Sequence, residues 1–188
     1  MYNYNFLKKF SKNNLICLII IVFIFFFDRI SKIKIIDHQL INESIYINDF
    51  INFDLVWNNG IAFGLLSYNT NLIYHSITTL IGGVIIFLIY LIFKSELIDK
   101  ILFSMVLGGA IGNFYDRLIY LAVPDFIDLH YESFHWFTFN IADIFITLGI
   151  ISIIIKDLFI KNEKKYKNIF KFNNNLFFER LWKWLRCK

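Results

Sequence analysis

The polar residues of this chain stand where an apolar chain has least use for them. Asn140 and Asp143 open a run that stays largely apolar to Ile155, and their spacing of three puts them on one face of a helix. Capping explains an asparagine at the start of such a helix, but not a carboxylate within the next turn. The helix dipole favours an acid there by about 0.3–1 kcal/mol, small against a burial cost of a few kcal/mol. Asp125 lies at the outer end of the preceding apolar run. Two carboxylates that converge there cannot comfortably both ionise, so one pKa rises and the pair holds a shared proton. Such a pair can hydrolyse a peptide bond without a metal or a covalent intermediate. One acid takes a proton from water; the other, protonated, polarises the carbonyl. On spacing alone, Asp116 or Asp128 could replace Asp125. Other polar groups sit within the apolar runs: Asp28 and Lys32, four apart on one helix face, and Asn113, Asp116 and Arg117, which follow "GGAIG". Gly108, Gly109 and Gly112 suit close helix packing.

The elements that would position these groups are read from composition. Of 188 residues 57% are hydrophobic and 20% aromatic, and mean hydropathy is +0.57. The apolar residues cluster, which points to an integral membrane protein. The expected fold is an all-α membrane domain over residues 1–160, with spans at about 13–34, 72–93, 101–123 and 140–160. Four spans put both termini on one side. Lys8, Lys9 and Lys12, together with ten Lys/Arg against three acids from Lys156 onward, make that side cytoplasmic. The outer segment 37–71 partly alternates apolar and polar residues, which suggests short strands, whereas 124–139 reads as a short outer loop. Residues 161–188 form a basic tail able to lie on anionic lipid.

Other chemistries find little support. The basic tail is explained by topology, so no nucleic acid partner is expected. Cys17 and Cys187 imply no disulfide framework. His38, His75, His130 and His135 are scattered, the last two five apart in the expected loop, and no HExxH or CxxC occurs. No metal and no cofactor are expected. The main rival is a proton-coupled transporter or channel subunit. Transporter sites, however, lie near the midplane between inverted repeats, whereas these acids lie near one surface and no repeat is evident. A non-catalytic assembly factor is a third reading.

Five segments in order resemble the boxes of the bacterial lipoprotein signal peptidases, or type II signal peptidases. "DRISK" (Asp28–Lys32) is similar to D-x-x-x-K, "NNGIAFG" (Asn58–Gly64) to N-x-G-x-A-F, and "GGAIGNFYDRL" (Gly108–Leu118) to G-G-A-x-G-N-x-x-D-R. "VPDFIDLH" resembles V-x-D-F-I, and "FNIAD" (Phe139–Asp143) matches F-N-x-A-D. The resemblance implies a membrane aspartic endopeptidase that cuts diacylglyceryl-modified prolipoproteins just before the lipidated cysteine. It implies Asp125 and Asp143 as the catalytic pair, and a small β-structure between spans one and two that cradles the substrate. Asp28, Lys32, Asn58, Gly60, Gly109, Asn113, Arg117 and Asn140 become supporting residues. The partners expected are the lipid-modified prolipoprotein and membrane lipids, and a monomer is expected. The chain departs from the family pattern at Arg29, often Gln; at Ile61, often Ala; and at Phe137, often Pro, which bears on the placing of Asn140.

Overall fold

The computed structural model describes residues 12–39, 44–59 and 70–159, with side chains described from 74 in the last of these stretches. Gly60, Ile61 and the tail 161–188 lie outside the described residues. The chain divides into two compact units, residues 1–150 and 151–188, and everything described below belongs to the first.

Long apolar stretches free of proline favour helix. α1 covers Lys12–Gln39, α2 Thr70–Lys94 and α3 Leu97–Tyr120, and a further helix, α4, begins at 141. On α1 the buried residues Cys17, Ile24, Asp28, Lys32 and Ile35 follow helical spacing and make one stripe. The opposite side exposes Ile19, Phe23, Phe26 and Ile30. In water such a surface would aggregate; against lipid tails it costs nothing. Among the described residues two helices, Tyr74–Lys94 and Leu97–Tyr120, are long and apolar enough to cross a membrane, with mean hydropathies of 2.4 and 1.4.

The sheet is larger than the sequence suggests. β1 (Ile45–Asn48) and β2 (Ile51–Asn58) come from the segment expected to hold strands. The segment read as a loop also folds into strands, β3 (Val123–Tyr131) and β4 (Phe134–Phe139). All four pair antiparallel in the order β1-β2-β3-β4. α3 therefore stops earlier than expected: Leu121 takes the left-handed conformation at φ 56°, and the chain turns into β3. Asp125 sits on this central strand rather than at a helix end. β3 escaped notice because both its faces are covered, so Val123 to Asp128 are all buried and apolar and polar residues do not alternate.

A small core of Ile35, Phe126 and Ile127, with Phe53, Leu55, Phe139 and Ile141 around it, joins the end of α1 to the sheet. Gln39 adds a polar clamp. Its Nε2 donates to the Phe53 carbonyl at 3.0 Å and its Oε1 accepts from the Leu55 amide at 2.6 Å, where β2 shifts register against β3. The clamp satisfies backbone groups that the bulge takes out of the ladder.

The glycines of α3 set how closely the helices approach. A Cβ on Gly109 would lie 2.5 Å from the Ala142 carbonyl oxygen, and one on Gly112 would lie 2.7 Å from Asp28 Oδ2. Backbone cannot yield as a side chain can. Gly109→Ala is therefore expected to push α4 away, lowering stability by about 1–3 kcal/mol and disturbing Asp143 next to Ala142. Thermal unfolding in detergent, run beside an activity assay, checks both effects.

Candidate active site

Two carboxylates and a lysine lie buried between α1 and α3, with a half-buried arginine beside them. Lys32, with no exposed surface, places its Nζ 2.7 Å from Asp28 Oδ2, 2.7 Å from Asp116 Oδ2 and 2.9 Å from Asn113 Oδ1. All three ammonium protons thus find acceptors. Arg29 Nη1 donates to the other oxygen of Asp116, and its guanidinium lies 5.4 Å from the ring centres of Tyr115 and Tyr120. The group is close to neutral as a set, which is the condition for keeping it out of water. The free oxygen of Asp28 accepts the Ala142 amide at 2.9 Å and so satisfies one of the unpaired donors at the start of α4.

Asn113 carries this cluster to the second one. Its Oδ1 faces Lys32, while its Nδ2 donates to Asp143 Oδ1 at 2.7 Å. Asn140, fully buried, then joins the two candidate acids. Its backbone amide donates to Asp143 Oδ2 at 3.1 Å, its Oδ1 accepts from the Asp143 amide at 3.0 Å, and its Nδ2 donates to Asp125 Oδ1 at 2.6 Å. The first two bonds form a reciprocal cap at the start of α4. The third reaches across to β3. The second oxygen of Asp125 accepts from Asn58 Nδ2, on β2, at 2.9 Å. Asp125 and Asp143 are thus each bound to Asn140, and their oxygens accept amide N–H groups that add no charge.

Asp125 is 4% exposed, and its carboxyl is pushed up to about 6. Burial is the largest cause; the nearby charge of Asp143 adds to it, while hydrogen bonds from Asn58 and Asn140 and the charge of Lys32 oppose it. A carboxyl raised to this range can carry a proton under mild conditions. Losing the Asn58 donor disfavours the charged form, so Asn58→Ala raises this value further. If Asp125 supplies a proton in catalysis, kcat/KM falls as pH rises through about 6. Asn58→Ala then moves that fall to higher pH. A pH–rate series on both proteins measures the displacement, and one that stays put removes Asp125 as the proton carrier.

The structure separates acids that spacing left equivalent. Asp116 is held by Lys32 and Arg29, Asp128 by His135, and Asp125 by two neutral asparagines. Lys32 reaches Asp28 as their spacing predicts. Arg117 is one of the expected supporting residues, but the guanidinium on Asp116 is that of Arg29. The Arg117 carbonyl accepts from the Tyr74 hydroxyl at 2.6 Å. In the sequence Arg29 stands only as a departure; its position directly after Asp28, at the end of the apolar run Leu15–Phe27, is the available signal. At Phe137, the β4 pairing with Leu129 supports the approach to Asn140 where a proline is frequent.

A family model described as signal peptidase (SPase) II matches residues 20–159. A protein of Pelagibacter ubique (strain HTCC1062) named lipoprotein signal peptidase is 50% identical over 155 residues, covering 81% of this chain and 93% of its own length. A protein of the same name from Blochmanniella pennsylvanica (strain BPEN) is 39% identical, covering 82% of this chain and 97% of its own. Two solved structures described as bacterial membrane enzymes align with TM-scores of 0.63 and 0.62 at 34% and 36% identity. Each covers 76% of this chain, and 92% and 87% of its own length respectively.

Proposed function

Because the chain belongs to the signal peptidase II family, we propose that it removes the signal peptide from diacylglyceryl-modified prolipoproteins, with Asp125 and Asp143 as its catalytic pair. The observation that carries the assignment is Asn140, which holds both carboxylates at one place. In this reading Asp143, ionised, takes a proton from water as the water oxygen bonds to the peptide carbonyl carbon. Asp125 gives its proton to the carbonyl oxygen, and a neutral diol results. Asp143 then returns its proton to the amide nitrogen, the C–N bond breaks, and Asp125 takes back a proton from the diol. The pair ends as it began, and no metal enters. Asn113 and Asn140 keep the acids aimed without adding a charge that would bias the shared proton. The transporter alternative has no support among the relatives.

The reading extends to topology and substrate. We infer four membrane spans, both termini in the cytoplasm, and the site at the outer face of the inner membrane in a monomer. The apolar α2 and α3 and the placing of Lys and Arg support it. An apolar cleft of about 300 Å³, lined by Ile20, Phe23, Ile24, Met105 and Phe145 among others, offers acyl chains a surface beside α1. Each buried CH₂ is worth ~0.8 kcal/mol. A precursor without its diacylglyceryl group is accordingly expected to be cut at least about a hundredfold more slowly. Purified protein in detergent, given the modified and unmodified precursors, tests this by mass spectrometry of the released fragments. Equal rates, or a cut elsewhere than before the lipidated cysteine, would overturn the substrate assignment.

A further inference from the structure

We propose that Asp128, His130 and His135 form a binding site for a divalent transition-metal ion of the zinc type, on the β3–β4 hairpin and apart from the Asp125–Asp143 pair. The inference goes beyond the peptidase reading and does not depend on it.

As a sequence, two histidines five residues apart in a presumed loop carried no metal signal. Strand pairing changes that. A bulge between Leu129 and His130 sets His130 directly opposite His135, and Asp128 is two residues from His130 on the same strand. Successive side chains alternate faces, so residues two apart share one. Asp128 Oδ2 lies 2.6 Å from His135 Nδ1 and 3.6 Å from His130 Nδ1, and one ligand atom from each of the three residues falls within 4.8 Å of the others. The two rings stack with centres 5.4 Å apart. Ligands at about 2.0–2.2 Å from a tetrahedral zinc ion stand roughly 3.3 Å from one another. The observed spacings straddle that value, so small side-chain adjustments suffice.

The second observation concerns unpaired atoms. His130 is 6% exposed, and its Nδ1, aimed at Asp128, has no hydrogen-bond partner among the described residues. A buried imidazole nitrogen left bare costs free energy that a bound cation would recover. Asn52 Oδ1 is also buried and has no partner among the described residues, and Asn52 is the β2 residue directly across from Asp128. Cross-strand partners project from the same face. Its amide oxygen is a candidate fourth donor beside two imidazoles and a carboxylate, the three ligand types that zinc favours. His135, whose side chain is 60% exposed, leaves the ion a way in.

Asp128 is three residues from Asp125, about 10 Å along a strand, so the ion takes no part in cleavage. It would instead fasten β3 to β4, and β4 runs directly into Asn140. The test uses the full chain, purified without a histidine tag and stripped by chelator. Zn²⁺ is added, excess is removed, and bound metal is measured by atomic emission; competition with a chromogenic chelator gives affinity. One Zn²⁺ per chain is expected, together with a raised thermal midpoint and, with Co²⁺, the absorption of a tetrahedral site. His135→Ala, at an exposed position that folding tolerates, lowers affinity at least about tenfold and abolishes the Zn²⁺-dependent rise in midpoint. Absence of stoichiometric metal, or affinity in His135→Ala and Asp128→Asn as high as in the unsubstituted chain, overturns the site and leaves a His135–Asp128 hydrogen bond in its place.

Discussion

Asp125→Asn and Asp143→Asn are each expected to cut the rate of prolipoprotein cleavage by on the order of 10³-fold or more. Asparagine keeps the size and planarity of aspartate but cannot take up and return a proton. At position 143 it would lose the base that activates water. At position 125 it would lose the acid that protonates the carbonyl oxygen. The double variant should be little worse than either single one, because the two groups act as a unit and neither works without the other. Thermal midpoints should hold or rise at position 125, where the substitution removes a buried ionisable group. Single-turnover rates with modified substrate measure the effect. Full activity in either variant would end the dyad assignment, and with it the proposed order of proton transfers.

Lys32→Met should have the largest effect on the fold. The ammonium serves Asp28, Asp116 and Asn113 at once with no exposed surface. Without it, Asp28 and Asp116 remain buried with Arg29 as the cation directly on one of them. Removing one member of a buried ion pair costs about 3–5 kcal/mol, mostly because the other charge is left uncompensated. That is a large part of the total stability of an ordinary domain. The expected result is little folded protein, or a strongly lowered unfolding midpoint in detergent. Adding Asp28→Asn to Lys32→Met removes one of the stranded charges and should restore part of the loss. An unchanged midpoint in Lys32→Met would mean that the cluster is far better hydrated than its burial implies.

These substitutions act on one continuous path. Hydrogen bonds run from Asp28 through Lys32 and Asn113 to Asp143, and on through Asn140 to Asp125 and Asn58. The ionic cluster fixes the spacing of α1 and α3, and Asn113 passes that spacing to the acid on α4. Severe destabilisation at Lys32 and loss of chemistry at Asp143 are thus expected to be coupled, which double-variant measurements can apportion.

How much of this was open to sequence reading depended on the range of the interaction. The helices were legible because apolar runs and helical spacing are local: the paired spacing of Asp28 with Lys32, and of Asn140 with Asp143, put each pair on one face before any fold was known. β3 and β4 were not legible. β3 is covered on both faces, so it lacks the alternation that marks a half-exposed strand, and a strand pair is defined by its partner. The missed pairing also hid the meeting of His130 with His135. Asp116, Asp125 and Asp128 were interchangeable along the chain and became distinct only through their neighbours, which are two cations, two asparagines and a histidine. Local order along the chain suffices for the apolar helices, the polar residues set into them, and the short-range faces they share. The tertiary structure decided which acid is neutralised by charge and which is held by neutral amides. The reason is physical: the state of a buried carboxylate depends on groups within a few ångströms of it, and those groups come from other helices and strands.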